Sequence, residues 1–228
     1  MIKAAVFDLD HTLFDRYATI RKIISQIDYS ELPFKESLSR EEIADHIEYG
    51  DRNFTHISFA RVVQYFAEQG ILKDGITHEG FYKKYIAPQH KKFAVPFEFS
   101  MPMLEQLRRK GIKLGLITNG YGEVQYSKIR LLGYENIFDH ILVGEDYGKP
   151  KPDTAIFYEM ARLMDLKPEE MLYIGDNPIN DVEASRNAGY IPVWVRTTGT
   201  WVYPDIEKPE LQVDTVAEIP SLIDKLNG

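Results

Sequence analysis

The sequence contains no cysteine. This absence excludes disulfide bonds, thiol catalysis and cysteine-ligated zinc, and it fits a reducing compartment such as the cytoplasm, where we expect the protein to work. No apolar run approaches the ~18–20 residues that a membrane-spanning helix needs. The first residues lack the basic segment, apolar stretch and small-residue cleavage site of a secretory leader, so we expect no removable signal peptide.

Positive charge is scarce relative to negative charge. The chain has 27 Lys and Arg against 35 Asp and Glu, which gives a net charge of −8. This balance argues against nonspecific binding to nucleic acid polymers or to anionic membranes. Hydrophobic residues make up 44% of the 228 residues and charged residues 27%, as in ordinary globular proteins. The length accommodates one large domain or two modest ones.

Short and nearly continuous apolar runs predict buried parallel strands, because a sheet covered on both faces leaves no polar face. The runs are Ile2–Phe7, Ile112–Ile117, Met171–Ile174 and Ile191–Val195, with a weaker one at Phe138–Val143. Strands and helical patterns alternate from about residue 98 onward. This order predicts an α/β fold with a doubly wound parallel sheet. Residues 196–213 are predicted to form a long loop before a closing helix at 217–226.

Residues 16–95 interrupt this alternation with helical patterns. Apolar residues recur at helical spacing in several stripes, Ser39 and Glu42 form a capping box that opens one helix, and Gly70 stands where another helix should end. A connection of this length is far longer than a crossover needs. We therefore predict a helical-bundle domain at 16–95, inserted into a core made of residues 1–15 and 96–228.

Chemistry-bearing side chains follow the predicted strands. Asp8 and Asp10 follow the first strand, Thr118 and Asn119 follow Ile117, and Asp176 and Asp181 follow the strand at 171–174. The segment Gly148-Lys149-Pro150-Lys151-Pro152 lies between the Thr118-Asn119 pair and Asp176. Ligands of open parallel sheets bind at the carboxyl ends of the strands, so we expect all these groups to project onto one rim.

These motifs, in this order, resemble the four motifs of the haloacid dehalogenase superfamily. The matching residues are Asp8-x-Asp10-x-Thr12, Thr118-Asn119, Lys149-Pro-x-Pro and Gly175-Asp176-x4-Asp181. The insertion after the first motif resembles the cap of the branch that contains the phosphoglycolate phosphatases. The resemblance implies a Rossmann-like core, a mobile cap, magnesium, and in most members hydrolysis of a phosphate monoester.

The residues themselves support that chemistry. Asp8 is an aspartate that can attack phosphorus without a base, which would give an aspartyl-phosphate. We assign Asp10 as general acid for the leaving oxygen and then as base for water. Thr118 and the Asn119 backbone N–H are expected to bind the phosphoryl oxygens, and Lys149 to stabilise the transferred charge. Lys151 is an alternative for this last role, but the family pattern places the functional lysine first.

An all-oxygen ligand set predicts Mg²⁺, held by Asp8, the backbone carbonyl of Asp10 and Asp176. Asp181 is expected to orient the metal's waters or Lys149. His11 is at most a lining residue, and the remaining histidines show no ligand spacing. The polar segment that contains Arg52, Asn53 and His56 is a candidate for reading the substrate.

Several functions stay open from the sequence. A small phosphorylated metabolite is the expected substrate. The amino-acid sequence around Asp10 and Thr118 resembles that of nucleoside 5′-monophosphate phosphatases. Asp10 argues against a dehalogenase, because a halide leaving group needs no proton. A phosphonatase needs a Schiff-base lysine from a smaller cap, so the large helical insertion argues against this function. A sugar phosphomutase keeps the same motifs. A non-catalytic binding protein on this scaffold is the other alternative, although such proteins tend to lose the nucleophile or a metal-binding acid and none is missing here. The oligomeric state is left open.

Overall fold

The computed structural model describes residues 1–54, 59–77, 80–198, 201 and 203–228. Six strands form one sheet, in the order β3-β2-β1-β4-β5-β6, and every neighbouring pair is parallel. The strands are β1 Ala4–Phe7, β2 Lys113–Thr118, β3 His140–Val143, β4 Met171–Gly175, β5 Ile191–Val195 and β6 Leu211–Val213. The predicted α/β fold with a doubly wound parallel sheet is confirmed.

The predicted loop at 196–213 is wrong at its end, because β6 pairs there with β5. Three residues form this edge strand, and Gln212 is in the middle of it. A polar residue within so short a run hides the apolar signal that identified the other strands. The register places Val213 beside Val195.

Helices cover the sheet and connect its strands. The helices of this part of the chain are α5 Ser100–Arg109, α6 Gly122–Leu131, α7 Gly144–Tyr147, α8 Ala155–Met164, α9 Ala184–Asn187 and α10 Ile219–Asn227, with a π-helical turn at Pro178–Glu183. α8 packs against β2 and β3 through buried Phe157, Met160 and Met164. Asp153 accepts a hydrogen bond from the Ala155 N–H at 2.8 Å, which helps to start α8.

Residues 16–95 form a second body of helices. These are α1 Arg16–Gln26, α2 Arg40–Phe54, α3 Phe59–Glu68 and α4 Ala87–His90, the last preceded by a π-helical turn at Phe81–Ile86. The predicted capping box at the start of α2 forms: Ser39 N donates to the Glu42 carboxylate at 2.8 Å, and Glu42 N donates to Ser39 Oγ at 3.2 Å. The rings of Phe34, Phe66 and Phe81 pack together in its core.

The chain forms two compact units, one made of Met1–Asp15 and Pro96–Gly228 and the other of Arg16–Val95. The helical insertion that the sequence predicts is therefore present; its role as a cap remains a prediction. Among the described residues, no helix has the length and apolar character needed to cross a membrane.

Candidate active site

The strand register explains why distant residues meet at one rim. Phe7 lies beside Leu116 of β2 and Ile174 of β4, so the residues that follow these three emerge at the same level. Asp8 continues this pattern, since its N–H donates to the Ile174 carbonyl at 2.9 Å. Thr118 and Asp176 come one step further along their strands. The sheet thus delivers the motif residues to its carboxyl edge, as in other open α/β sheets.

A buried lysine is the centre of the polar contacts at this rim. Lys151 Nζ lies 2.7 Å from Asp8 Oδ1 and 2.6 Å from Asp181 Oδ1, and it donates to the Tyr173 hydroxyl at 2.8 Å. The exposed fractions of the lysine, Asp8 and Asp181 side chains are 2%, 10% and 2%. Charges at this depth need partners, because desolvation penalises an isolated ion heavily. One cation therefore holds two acids.

Burial and charge perturb these groups in opposite directions. The pKa of Asp8 is raised from 3.8 to about 7: burial raises it most, the Lys151 charge lowers it, and the charges of Asp181 and Asp10 raise it further. Burial alone lowers the pKa of Lys151, but the carboxylates of Asp181 and Asp8 outweigh that effect, so the pKa of Lys151 lies well above 10.5. The lysine stays charged, while Asp8 needs further positive charge to be fully ionised at neutral pH.

The structure corrects the order in which the two lysines were assigned. Lys149 is exposed, whereas Lys151 is buried against Asp8. Both lysines precede a proline, and the sequence analysis chose Lys149 because the Lys-Pro-x-Pro pattern predicts that the functional lysine comes first; the structure brings Lys151 to Asp8 instead. The deciding contact lies on Asn119: its Nδ2 donates to the Lys151 carbonyl at 2.7 Å, and its Oδ1 accepts from the Lys151 N–H at 2.9 Å. This pair of bonds fixes the backbone of Lys151, the lysine that reaches Asp8.

Three carboxylates could hold a cation. Asp8, Asp176 and Asp181 are buried and each offers an oxygen within 4.8 Å of the others, and they form the one such group among the residues that the structure describes. With Lys151 as their ionic partner, three ionised acids keep an excess of negative charge. Hard oxygen ligands of this kind suit Mg²⁺. The predicted pairing of Asp8 with Asp176 agrees with this arrangement, and the Asp10 carbonyl as a further ligand stays a prediction.

Close packing holds two of these acids in place. A Cβ on Gly175 would collide with the carboxyl group of Asp181, so glycine is required where Asp181 lies against the end of β4. Asp181 Oδ2 accepts the Asn177 N–H at 2.9 Å, and the Asp176 carbonyl accepts the Trp194 indole N–H at 2.9 Å. The sequence analysis expected Asp181 to orient the metal's waters or Lys149; the lysine that it contacts is Lys151.

Asp10 lies in a separate contact group that the sequence analysis missed. Lys128 Nζ is 2.8 Å from Asp10 Oδ1 and 3.1 Å from Oδ2, and Gln125 Nε2 donates to Oδ2 at 3.1 Å. Gln125 also donates to Thr118 Oγ1 at 2.6 Å and to the Asn119 carbonyl at 2.7 Å. Both residues are polar and three apart, so they share one side of α6, but the sequence alone does not show that this side is buried and faces Asp10.

The segment proposed to read the substrate is described only in part. Arg52 is exposed at the end of α2, and its guanidinium lies over the Tyr17 ring, 5.5 Å from the centroid. Asn53 donates to the Tyr49 carbonyl at 2.8 Å. His56 lies outside the described residues, as does His78.

Sequence comparison agrees with this geometry. Residues 5–195 match the family model described as haloacid dehalogenase-like hydrolase. The chain belongs to the haloacid dehalogenase-like hydrolase family. It is 29% identical to a glyceraldehyde 3-phosphate phosphatase of Methanopyrus kandleri over 99% of both chains, and 30% identical to one of Methanothermobacter thermautotrophicus over 97% of this chain and 98% of that one. An N-acylneuraminate-9-phosphatase of Rattus norvegicus is 31% identical over 55% of this chain and 50% of its own.

Solved structures with low sequence identity to this chain share its fold. One is a predicted phosphoglycolate phosphatase of Haemophilus somnus, with a TM-score of 0.75, 22% identity, and coverage of 97% of this chain and 98% of that one. Another is a HAD hydrolase of Bacillus subtilis bound to magnesium, with a TM-score of 0.73, 22% identity, and coverage of 98% and 99%. The predicted family and enzyme class, a hydrolase of the phosphatase kind, are confirmed.

Proposed function

We propose that the protein is a magnesium-dependent phosphatase that hydrolyses small phosphate monoesters through an aspartyl-phosphate on Asp8. The observation that carries this proposal is the position of Asp8, which is buried at the end of β1, paired with Lys151 and clustered with two further acids. The Lys151 charge favours the ionised form of an aspartate so placed, and a bound Mg²⁺ would complete the ionisation that makes it a nucleophile. A structural aspartate would have no need of two more carboxylates beside it.

The first chemical step transfers the phosphoryl group to Asp8. A carboxylate oxygen of Asp8 forms a bond to phosphorus while the ester P–O bond breaks, and Asp10 gives its proton to the departing oxygen. Thr118 and the Asn119 N–H bind the phosphoryl oxygens, and Lys151 stabilises the negative charge around Asp8. The alcohol then leaves.

The second step regenerates the enzyme. Asp10, now ionised, takes a proton from a water molecule as the water oxygen bonds to phosphorus, and the bond between phosphorus and Asp8 breaks. Inorganic phosphate is the product and Asp10 is again protonated. Mg²⁺, held by Asp8 and Asp176 with the carbonyl of Asp10, would supply the positive charge that offsets repulsion between Asp8 and the phosphate.

Triose and sugar phosphates are the first substrates to test. Glyceraldehyde 3-phosphate phosphatases match this chain over nearly its whole length, which supports a short phosphorylated aldehyde or polyol as the substrate. The relation to N-acylneuraminate-9-phosphatase covers about half of the chain and supports a phosphorylated sugar acid less strongly. We propose that the helical unit 16–95 carries the residues that select among these substrates.

A nucleoside 5′-monophosphate is a second candidate, favoured by an aromatic group on the helical unit. Tyr49 is 53% exposed, and its ring centroid lies 5.2 Å from that of Tyr65 and 6.2 Å from that of Phe54. Exposed aromatic faces of this kind stack on nucleobases. A nucleotidase would hydrolyse nucleoside monophosphates with a higher kcat/KM than triose phosphates.

A panel of phosphate esters tests the proposal. Purified protein is assayed for phosphate release from p-nitrophenyl phosphate, glyceraldehyde 3-phosphate, sugar phosphates, phosphoglycolate and nucleoside monophosphates, with Mg²⁺ and with a chelator. We expect magnesium-dependent release that Asp8→Asn abolishes. Migration of phosphate within a sugar, without release, would indicate a mutase. If no ester of the panel releases or transfers phosphate, the result would indicate a non-catalytic binding protein.

A further inference from the structure

We propose that Lys128 and Gln125 are positioning residues for the general acid, Asp10, and that they make the enzyme effective on esters with poor leaving groups. The inference rests on the function proposed above, since it concerns the step in which Asp10 protonates the departing oxygen. Neither residue belongs to the four sequence motifs, and both come from α6, which follows the Thr118-Asn119 segment.

Lys128 holds the carboxylate of Asp10 by both oxygens. The lysine side chain is only 3% exposed, and its ammonium lies 2.8 and 3.1 Å from the two oxygens and 5.1 Å from the centroid of the Phe14 ring. Contact with both oxygens restrains the position of the carboxylate, and the bond from Gln125 to Oδ2 restrains its rotation. The Asp10 side chain keeps 21% of its surface exposed. In the acid form, Oδ2 keeps its bonds from Lys128 and Gln125, and Oδ1, which Gln125 does not contact, carries the proton.

Gln125 connects Asp10 to the phosphate-binding threonine. Its Nε2 lies within hydrogen-bond distance of Asp10 Oδ2, Thr118 Oγ1 and the Asn119 carbonyl. A carboxylate and a carbonyl only accept hydrogen bonds, so the NH₂ group, not the amide oxygen, must face them. Thr118 thus accepts from Gln125 through its oxygen, and its own hydroxyl donates to the Asn119 carbonyl at 3.3 Å. Gln125 therefore fixes Asp10 relative to the group that binds the phosphoryl oxygens.

The placement of Asp10 matters most for poor leaving groups. An alkoxide leaving group must be protonated as the P–O bond breaks, whereas p-nitrophenolate leaves with little help from an acid. A displaced carboxylate loses part of that help, and misplacement of a catalytic group by about 1 Å can cost about 10²-fold in rate. The charge of Lys128 would also attract phosphate, but that effect is common to aryl and alkyl esters.

The test compares alkyl and aryl esters in a set of variants. We measure kcat/KM for glycerol 3-phosphate, or the best alkyl phosphate of the panel, and for p-nitrophenyl phosphate, in wild type, Lys128→Met, Lys128→Arg and Gln125→Leu. This parameter covers the steps up to release of the leaving group, so hydrolysis of the phosphoenzyme does not enter it. Lys110→Met is the matched control, because Lys110 pairs with Asp224 away from the motifs. Circular dichroism and melting curves compare the folds.

The expected result is a leaving-group-dependent loss. Lys128→Met should lose about tenfold more kcat/KM on the alkyl ester than on the aryl ester, as part of the ~10²–10⁴-fold that a general acid supplies. Lys128→Arg should recover part of the alkyl activity, Gln125→Leu should show a smaller loss of the same kind, and Lys110→Met should match wild type. Adding Lys128→Met to Asp10→Asn should cost little more, because the acid is already gone.

Equal losses on both esters in folded Lys128→Met, or a full further loss in the Asp10→Asn background, would overturn the inference while leaving the phosphatase intact. A wild-type protein that hydrolyses neither ester would overturn the proposed function and, with it, this inference. If Lys128→Met does not fold, the same criteria apply to Lys128→Arg and Gln125→Leu.

Discussion

Replacing Lys151 by methionine tests the structure at its most constrained point. Methionine fills a similar space but removes the ammonium that lies 2.7 Å from Asp8 and 2.6 Å from Asp181. The two acids are then left buried without this cation. Removing one partner of a buried ion pair destabilises a protein by about 3–5 kcal/mol, so we expect a clear fall in melting temperature.

The same change should remove most of the activity. Loss of one preorganised charge-stabilising group costs about 10²–10³-fold in rate, or about 3–4 kcal/mol of transition-state stabilisation. The pKa of Asp8 is already raised to about 7, chiefly because the group is buried, and it should rise further once the lysine charge that lowers it is removed. The acidic limb of the pH–rate profile should therefore move to higher pH.

Lys149→Met is the matched control for this prediction. Lys149 is exposed two residues away, and surface substitutions usually change stability by about 0.5 kcal/mol or less. The assay is kcat/KM for p-nitrophenyl phosphate at saturating Mg²⁺, with a thermal melt of each variant. Adding Asp8→Asn to Lys151→Met should recover stability, because it neutralises one of the unpaired acids. A large loss with Lys149→Met and a small one with Lys151→Met would refute our assignment of the lysine.

Three further outcomes follow from the same site. The pKa of Asp8 is raised in the folded protein, so Asp8 stabilises the fold below about pH 4 and this contribution is lost as the pH rises through about 7. Because a cation binds the ionised acids, Mg²⁺ should raise the melting temperature more at about pH 8 than at about pH 5. In Asp8→Asn the increase caused by Mg²⁺ should be much smaller. Gly175→Ala should displace Asp181 and reduce both stability and activity, measured by melting and phosphate release, whereas Gly148→Ala, where a Cβ meets no atom within 4 Å but φ is +79°, should lower stability only; equal activity in both would contradict this. Phe157→Ala removes a fully buried ring whose centroid is 4.9 Å from that of Tyr173, and should cost about 3–5 kcal/mol in a denaturant titration; a cost below about 1 kcal/mol would show that this ring does not help to hold α8 on the sheet.

The sequence alone was sufficient to predict elements with a distinct hydrophobic period and the site residues at the ends of those elements. Five strands and the helical insertion were predictable because buried parallel strands and amphipathic helices have distinct periods. The meeting of Asp8, Thr118 and Asp176 was predictable because each stands at the carboxyl end of a strand of a parallel sheet or directly after it. The short β6 was not, because three residues with Gln212 at the centre carry no strand period.

The choice of lysine was beyond the sequence because it depends on side-chain direction. Lys149 and Lys151 lie two residues apart, both before a proline, and the bonds from Asn119 to the backbone of Lys151 come from another strand end. Lys128 and Gln125 were overlooked for a related reason. Polar residues on a helix usually face water, and only the fold shows that this face of α6 is turned towards Asp10.

Trapping the phosphorylated aspartate tests the central claim most directly. The Asp10→Asn variant lacks the base that activates water, so with p-nitrophenyl phosphate and Mg²⁺ it should release one burst of p-nitrophenol and accumulate the phosphoenzyme. Borohydride reduces an acyl phosphate to an alcohol, which peptide mass spectrometry can locate. Our account predicts that Asp8 alone is converted to homoserine, and only when substrate is present. An unmodified Asp8 in a variant that still turns over, or modification of another residue, would contradict it.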